Sequence, residues 1–271
     1  MKNKIVLYSF IIIMAFLFIE PMIFTLISSF KGNTEIFGSP FSLPEVFRFE
    51  NYVIAWQEAN MSRYFLNSIL ISMSTVIVLA VVSSMASFAL SRFNLRVNKF
   101  LALFFLLGMM IPMHTVLVPV AYIIGAFGLK NNLVALVLLY VAFSLSFSIL
   151  VLTRFMKGIS ASLEEAAIMD GANYFQIYYK IMLPMSVPAI ATVSIFNFLG
   201  AWNNILFPLL FINDDRLKPI ALGLLNFSGE RGSEYGPLMA AIVITIVVPL
   251  VVYLLFQEKV EGGLAAGAVK E

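Results

Sequence analysis

The sequence predicts an all-α polytopic membrane protein with six transmembrane helices, and three observations lead to this fold class. Of the 271 residues, 61% are hydrophobic and only 12% are charged, whereas a soluble domain carries about 25% charged residues. The mean hydropathy is high, at +0.96. The apolar residues also fall into six long stretches, each near the roughly 20 residues that a helix needs to cross a bilayer. A soluble chain of this length could not cover its surface with so few polar groups, so lipid must solvate much of it.

The first stretch begins after Lys2 and Lys4, as a signal peptide does. Its apolar run continues past Glu20 to Phe30, and no small-residue cleavage motif follows it. We therefore predict a retained span. The six predicted spans lie near residues 5–30, 64–90, 100–124, 133–155, 184–211 and 237–256.

The positive charges favour one orientation of these spans. With the N-terminus inside, ten of the 17 Lys and Arg residues lie on the cytoplasmic side and seven outside. Because positive residues are enriched in cytoplasmic loops, we expect both termini in the cytoplasm. No internal repeat separates parts of the chain, which predicts a single domain over residues 1–271.

Several kinds of chemistry are excluded by composition. The chain has no cysteine and one histidine, His114, so disulfides, thiolate zinc sites and cysteine nucleophiles are impossible. We predict no catalytic residue, no metal site and no cofactor, and we expect His114 to be hydrogen-bonded within the helix bundle. The phosphate loop G-x-x-x-x-G-K-[ST] is absent. No long basic run suggests a nucleic-acid partner.

Residues 157–183, between the fourth and fifth spans, are too regularly patterned for a linker. Ser162 and Glu165 match a capping box, which predicts a short helix from Leu163 to Met169. Gly171 follows at a position where helices commonly end in a left-handed residue.

A second amphipathic helix is predicted from Tyr174. Pro184 is expected to end this helix and to open the fifth span. The segment is therefore predicted to be a helix–turn–helix with apolar and aromatic side chains available to a partner.

The segment resembles the EAA loop of binding-protein-dependent ABC permeases. Glu165-Ala166-Ala167 is followed after three residues by Gly171 and after nine more by Ile181-Met182-Leu183-Pro184. In that family the loop is a coupling helix that docks on a separate ATPase subunit. The alternative is an amphipathic helix on the membrane surface, which needs neither the glycine nor the proline. The resemblance implies an ATPase-coupling role for Glu164, Glu165, Ala166, Ala167, Asp170, Gly171, Ile181, Leu183 and Pro184.

The rest of the chain is similar to one branch of the family, the maltose-type carbohydrate permeases. The similar motifs are Ser28-Ser29-Phe30-Lys31, Asn67-Ser68, Ser91-Arg92-Phe93, Ile111-Pro112 with Pro119, Trp202-Asn203 and the tail from Glu261 to Lys270. This resemblance implies a permease subunit in the cytoplasmic membrane of a prokaryote that takes up a sugar. It also implies three kinds of protein partner: an ATPase dimer, a second permease subunit of similar fold, and an extracytoplasmic solute-binding protein.

The fifth span carries an unusual polar group, formed by Asn197, Trp202, Asn203 and Asn204. Amides and an indole suit a sugar, which offers hydroxyl groups and an apolar ring face. The same side chains could instead form hydrogen bonds between helices, each worth about 0.6–2 kcal/mol. The sequence leaves both interpretations open.

Two further patterns concern the second and third spans. In the second, Ser68, Ser72, Thr75, Ser83 and Ser87 share one helix face, which favours close helix packing over a polar lining of the transport path. In the third, Pro112 and Pro119 each remove a backbone donor and are candidate helix bends.

Three other functions were weighed against a sugar permease. A permease for another solute shares every feature of the loop, but no Arg cluster marks an anionic substrate. An ion-coupled secondary transporter usually has inverted repeats and charged groups near the midplane, and neither is visible in the sequence. A membrane-embedded enzyme would have little beyond serines and His114 from which to assemble a catalytic site.

Overall fold

The computed structural model describes residues 2–93, 96–225, 227 and 234–268. Every regular element in these residues is helical. The longer helices are α1 Lys2–Ser28, α4 Met61–Arg92, α5 Asn98–Met110, α6 Leu117–Ala126, α7 Leu133–Lys157, α11 Val187–Trp202 and α14 Tyr235–Ala268. The shorter ones are α2 Asn33–Gly38, α3 Glu50–Val53, α8 Ala161–Met169, α9 Tyr174–Ile177, α10 Leu183–Met185, α12 Leu206–Phe211 and α13 Ile220–Gly223.

Four helices are long and apolar enough to cross a bilayer by themselves: Lys4–Ser28, Met61–Arg92, Leu133–Lys157 and Tyr235–Gln257. They correspond to the first, second, fourth and sixth predicted spans. The third and fifth predicted spans are not continuous helices. In the third, Asn98–Met110 and Met113–Ala126 meet at an angle of 88°. The helix of the fifth, Val187–Trp202, is bent by 70° from the preceding segment Tyr174–Met185, so the described residues contain four to six candidate spans.

The third span is interrupted between α5 and α6. The chain is extended at Ile111 and Pro112, with ψ angles of 115° and 126°, and a short 3-10 turn Met113–Val116 leads into α6. The expectation that Pro119 also bends a helix is wrong. Pro119 is the third residue of α6, where a missing N–H costs little because the first turn has no intrahelical acceptors. His114 is exposed on the 3-10 turn and is not buried in the bundle as expected. Its side chain forms no hydrogen bond with the residues that the structure describes.

The fifth span is shorter than predicted. It begins at Val187 and not at Pro184. The backbone turns at Ser186, which lies between two prolines. Pro184 and Pro188 lack amide hydrogens, which removes two backbone bonds at the turn. The span ends at Trp202, and the separate helix α12 follows, with the Asn204 side chain accepting from the amide of Phe207.

The chain divides into two compact units, and the first comprises Met1–Leu66 with Pro219–Val248. Its segment after α1 is built around the fully buried Lys31, whose ammonium donates to the carbonyls of Ser39 and Pro40 at 2.9 and 3.0 Å. The amide of Asn51 donates to the carbonyls of Ser29 and Lys31. These bonds to buried backbone acceptors give the segment a fixed conformation.

The second unit comprises Asn67–Lys218 with Pro249–Glu271. The predicted small-residue face of α4 is buried, with Ser68, Ser72, Thr75, Ser83 and Ser87 each at most 2% exposed. Ser87 donates to the Ile149 carbonyl of α7 at 3.1 Å. Such close contact supports the packing interpretation. The predicted tail beyond Ala268 and the stretch 228–233 lie outside the described residues.

Candidate functional site

The hairpin, residues 157–183, is formed by α8, a turn, and a second helical leg from Tyr174. Helix α8 begins at Ala161, two residues earlier than predicted. Its N-cap is Ser160, whose hydroxyl accepts from the amide of Ser162 at 3.3 Å. The predicted capping box of Ser162 and Glu165 is therefore wrong, because Ser162 already lies within the helix.

The turn of the hairpin is a Schellman motif. Gly171 has φ +80°, a left-handed conformation. Its amide donates to the carbonyl of Ile168 at 3.0 Å, and the amide of Ala172 donates to that of Ala167 at 2.9 Å. These two bonds satisfy carbonyls that the end of a helix leaves free. The left-handed residue predicted at Gly171 is confirmed.

A capping box that the sequence analysis missed begins the second leg. The backbone N–H of Gln176 donates to Oδ1 of Asn173, and the backbone N–H of Asn173 donates to Oε1 of Gln176, both at 2.9 Å. The pattern Asn-x-x-Gln was visible in the sequence as a helix start. The leg then widens into a π-helical turn, Tyr178–Met182, and continues to Met185.

One side of the hairpin packs on the ends of α4 and α7. Phe88, Met156, Ile177 and Met182 form a buried cluster, with Ala167 partly buried against it. Phe93 contacts Tyr174, and Phe88 contacts Tyr178, with ring centroids 4.9 and 5.4 Å apart. The hydroxyl oxygens of Ser84 and Tyr178 are 2.8 Å apart. The hairpin therefore has a fixed position on α4.

Arg92, the last residue of α4, lies under the hairpin. Its Nε is 2.8 Å from Oε2 of Glu164, and the two side chains are only 8% and 14% exposed. Its Nη2 donates to the carbonyl of Ile159 at 3.0 Å. This pair could not be predicted from local sequence patterns, because the two residues lie 72 positions apart in the chain.

The rest of the hairpin is exposed. Its exposed large apolar side chains are Leu163, Ile168, Met169, Phe175 and Tyr179, with Met169 at 87% and Phe175 at 72%. Polar residues are exposed as well, among them Ser162, Asn173, Gln176 and Lys180. Among the residues predicted to couple to an ATPase, Glu165, Ala166, Asp170, Gly171 and Pro184 are also exposed. Glu164, Ala167, Ile181 and Leu183 are half-buried.

The polar group of the fifth span is not gathered into one site. Asn197 is buried, and its amide donates to the hydroxyl of Ser148 on α7 at 3.0 Å. Trp202 is 1% exposed and stacks on Phe198, with ring centroids 5.8 Å apart. Neither side chain is accessible to a solute in this chain. The bond to Ser148 favours the interhelical interpretation for Asn197. Asn204 accepts from the amide of Phe207 in the first turn of α12, and Asn203 alone of the four is exposed.

Comparison with known proteins gave matches along most of the chain. The model of a family described as "Binding-protein-dependent transport system inner membrane component" matches residues 81–264. Among curated proteins, a diacetylchitobiose uptake system permease protein of Streptomyces coelicolor is 37% identical, over 97% of this chain and 88% of that protein. A trehalose/maltose transport system permease protein of Thermococcus litoralis is 32% identical, over 99% and 97%.

A third relative is a probable starch degradation products transport system permease protein of Thermoanaerobacterium thermosulfurigenes, 31% identical over 96% and 94% of the two chains. Among solved structures, a chain of a bacterial ABC transporter that imports alginate has the same fold, with a TM-score of 0.82 over 94% and 95% of the two chains and 23% identity.

Proposed function

The chain belongs to the family of binding-protein-dependent transport system inner membrane components, and from this premise we propose that its hairpin is the surface on which a separate ATPase subunit acts. The observation that carries the proposal is that the hairpin is held firmly by the rest of the chain and still exposes large apolar side chains. A buried cluster and an ion pair fix it to α4 and α7. Met169, Phe175 and Tyr179 are exposed.

Large exposed apolar side chains such as Met169, Phe175 and Tyr179 suit a protein partner. Aromatic residues and Met are enriched in protein interfaces. A helix that merely lay on lipid would need no Schellman turn and no buried ion pair beneath it. The chain carries no phosphate loop of its own, so the energy for transport comes from ATP hydrolysed on the partner.

This proposal requires the hairpin to face the cytoplasm. The distribution of Lys and Arg supports that orientation, with both termini inside. We take the bent pair α5–α6 as the third span and α11, Val187–Trp202, as the fifth, which gives six spans in a single permease domain over residues 1–271. The localisation that follows is the cytoplasmic membrane of a prokaryote.

A sugar or oligosaccharide is the proposed substrate. The names of the three relatives refer to diacetylchitobiose, trehalose or maltose, and starch degradation products, all of which are carbohydrates. We propose a second permease subunit as the other half of the pore and an extracytoplasmic binding protein that delivers the sugar. Of the polar group in the fifth span, Asn203 is the residue that we propose as a hydrogen-bond donor to a sugar hydroxyl, because its side chain is exposed.

Replacement of Gly171 by Asp tests the docking surface. At both Gly171 and Gly128 the φ angle is positive, +80° and +66°, and an added Cβ would meet no atom within 4 Å. Gly128→Asp is therefore a matched control with the same backbone strain, outside the hairpin.

We expect Gly171→Asp to lower recovery of the ATPase with the purified permease by about tenfold or more, the scale of an interface hot spot. The two variants should accumulate equally in the membrane. Equal recovery of the ATPase with Gly171→Asp and with Gly128→Asp would show that the hairpin is not the docking surface.

A further inference from the structure

Arg92 contacts both legs of the hairpin at once. It pairs with Glu164 in the first turn of α8, donates to the carbonyl of Ile159 before that helix, and lies 3.5 Å from the sulfur of Met182 at the end of the second leg. The beginning and the end of the hairpin therefore meet at a single guanidinium, which itself belongs to α4.

The pair is shielded from solvent, with exposures of 8% and 14%. An ion pair on the surface contributes little and is screened by salt. In a buried pair, loss of one partner leaves the other charge without compensation, which is strongly destabilising. Glu164 also lies in the first turn of α8, where the helix dipole favours a negative charge.

An arginine suits these contacts. Nε lies beside the carboxylate, and Nη2 reaches both the carbonyl and the sulfur, whereas the ammonium of lysine is a compact point charge on a flexible stem. Arg96, four residues further along the chain, is exposed and lies outside these contacts.

We propose that Arg92 and Glu164 are positioning residues that make the hairpin and the end of α4 move as one body. This inference rests on the proposed coupling role of the hairpin. A force on its exposed surface then reaches the second span directly, through a short buried contact, and not only along the chain at the ends of the hairpin. Without the pair, hydrolysis on the partner would continue while less of the motion reached the spans.

The test compares Arg92→Gln, Glu164→Gln, the exchange R92E/E164R, and Arg92→Lys, with Arg96→Gln as the matched loss of an exposed charge. The first measurement is hydrogen–deuterium exchange of the amides of residues 161–182 in the purified permease. The second is sugar uptake per ATP hydrolysed, in liposomes containing the complete transporter.

We expect each single loss to speed amide exchange of the hairpin by about tenfold, the scale of coupling between contacting residues. Uptake per ATP should fall in the same variants. The exchange R92E/E164R should restore part of both quantities, because it restores the ion pair but loses the bond to the Ile159 carbonyl. Arg92→Lys should be intermediate because it keeps the charge and loses the second donor group, and Arg96→Gln should match the unmodified protein.

Two results would overturn the inference. The first is that amide exchange in the single variants matches that in Arg96→Gln, or that the exchange R92E/E164R restores neither quantity. The other is faster amide exchange with unchanged uptake per ATP, which would leave the pair a purely structural role. Failure of the unmodified permease to bind any ATPase would refute the proposed function instead, and amide exchange would still decide whether the pair holds the hairpin.

Discussion

Asn197 and Arg92 illustrate how polar side chains are used in this molecule. Asn197 bonds to Ser148 between two helices, and Arg92 bonds to the hairpin. Both are polar groups removed from solvent, and such groups are stable only when they find partners. Their partners lie 49 and 72 positions away along the chain. The sequence therefore identified the residue types but not what each side chain contacts.

Replacement of Asn197 by Ala tests its packing role. Loss of the bond to Ser148 should destabilise the protein by about 1 kcal/mol, the usual range for a hydrogen bond between membrane helices. We expect a lower thermal midpoint in detergent and an unchanged KM for the sugar. Asn203→Ala, at an exposed position, should leave the midpoint unchanged. A raised KM in Asn197→Ala with an unaltered midpoint would instead indicate contact with substrate.

The hairpin was the element best predicted from sequence. Its position between spans, its left-handed glycine and its second helix all follow from local patterns that need no knowledge of the rest of the chain. The start of α8 was misplaced by two residues because Ser160 and Ser162 are both good N-cap residues and only backbone geometry distinguishes them.

The bends at Pro112 and Ser186 mark the limit of such patterns. Apolar composition predicted that the third and fifth stretches cross the membrane. A bend in the helix does not change that composition, so the sequence did not reveal the bend. The size and position of each turn depend on the packing of both halves and on which backbone bonds proline removes. Pro119 and Pro112 look alike in sequence, but only Pro112 follows the end of a helix.

A chemical cross-link between α4 and the hairpin tests whether the two elements move together. The chain has no cysteine, so the variant S84C/Y178C carries only the two introduced thiols, at positions whose hydroxyl oxygens are 2.8 Å apart. A short bis-methanethiosulfonate reagent should link them without loss of sugar uptake, because a rigid contact has no motion to block. The variant S84C, treated alike, controls for modification of the thiol. Uptake that stops on cross-linking and returns on reduction would mean that the elements separate during transport.

At the scale of the whole molecule, the orientation in the membrane can be measured on one helix. Lys130 precedes α7 and Lys157 ends it, and both are exposed. The 25 residues of α7 span about 37 Å, enough to cross a hydrocarbon core of about 30 Å. In intact cells or spheroplasts, an impermeant maleimide should label Lys130→Cys, and it should label Lys157→Cys only after permeabilisation. The reverse pattern would put the hairpin outside, where no ATPase could reach it.

Composition was sufficient to predict a membrane protein, because 12% charged residues cannot cover the surface of a soluble chain of this length. The identity of the sugar could not be predicted in the same way. Of the residues proposed to contact it, Asn197 and Trp202 are buried within the chain, and a pore shared with a second subunit would take part of its lining from that subunit.

The most direct test of the central claim is to purify the chain from its native membrane in mild detergent and identify by mass the proteins that remain bound. We predict an ATPase and a second permease of similar size. Recovery of the chain alone, or only as a complex with copies of itself, would contradict a permease that works as half of a pore driven by a separate ATPase.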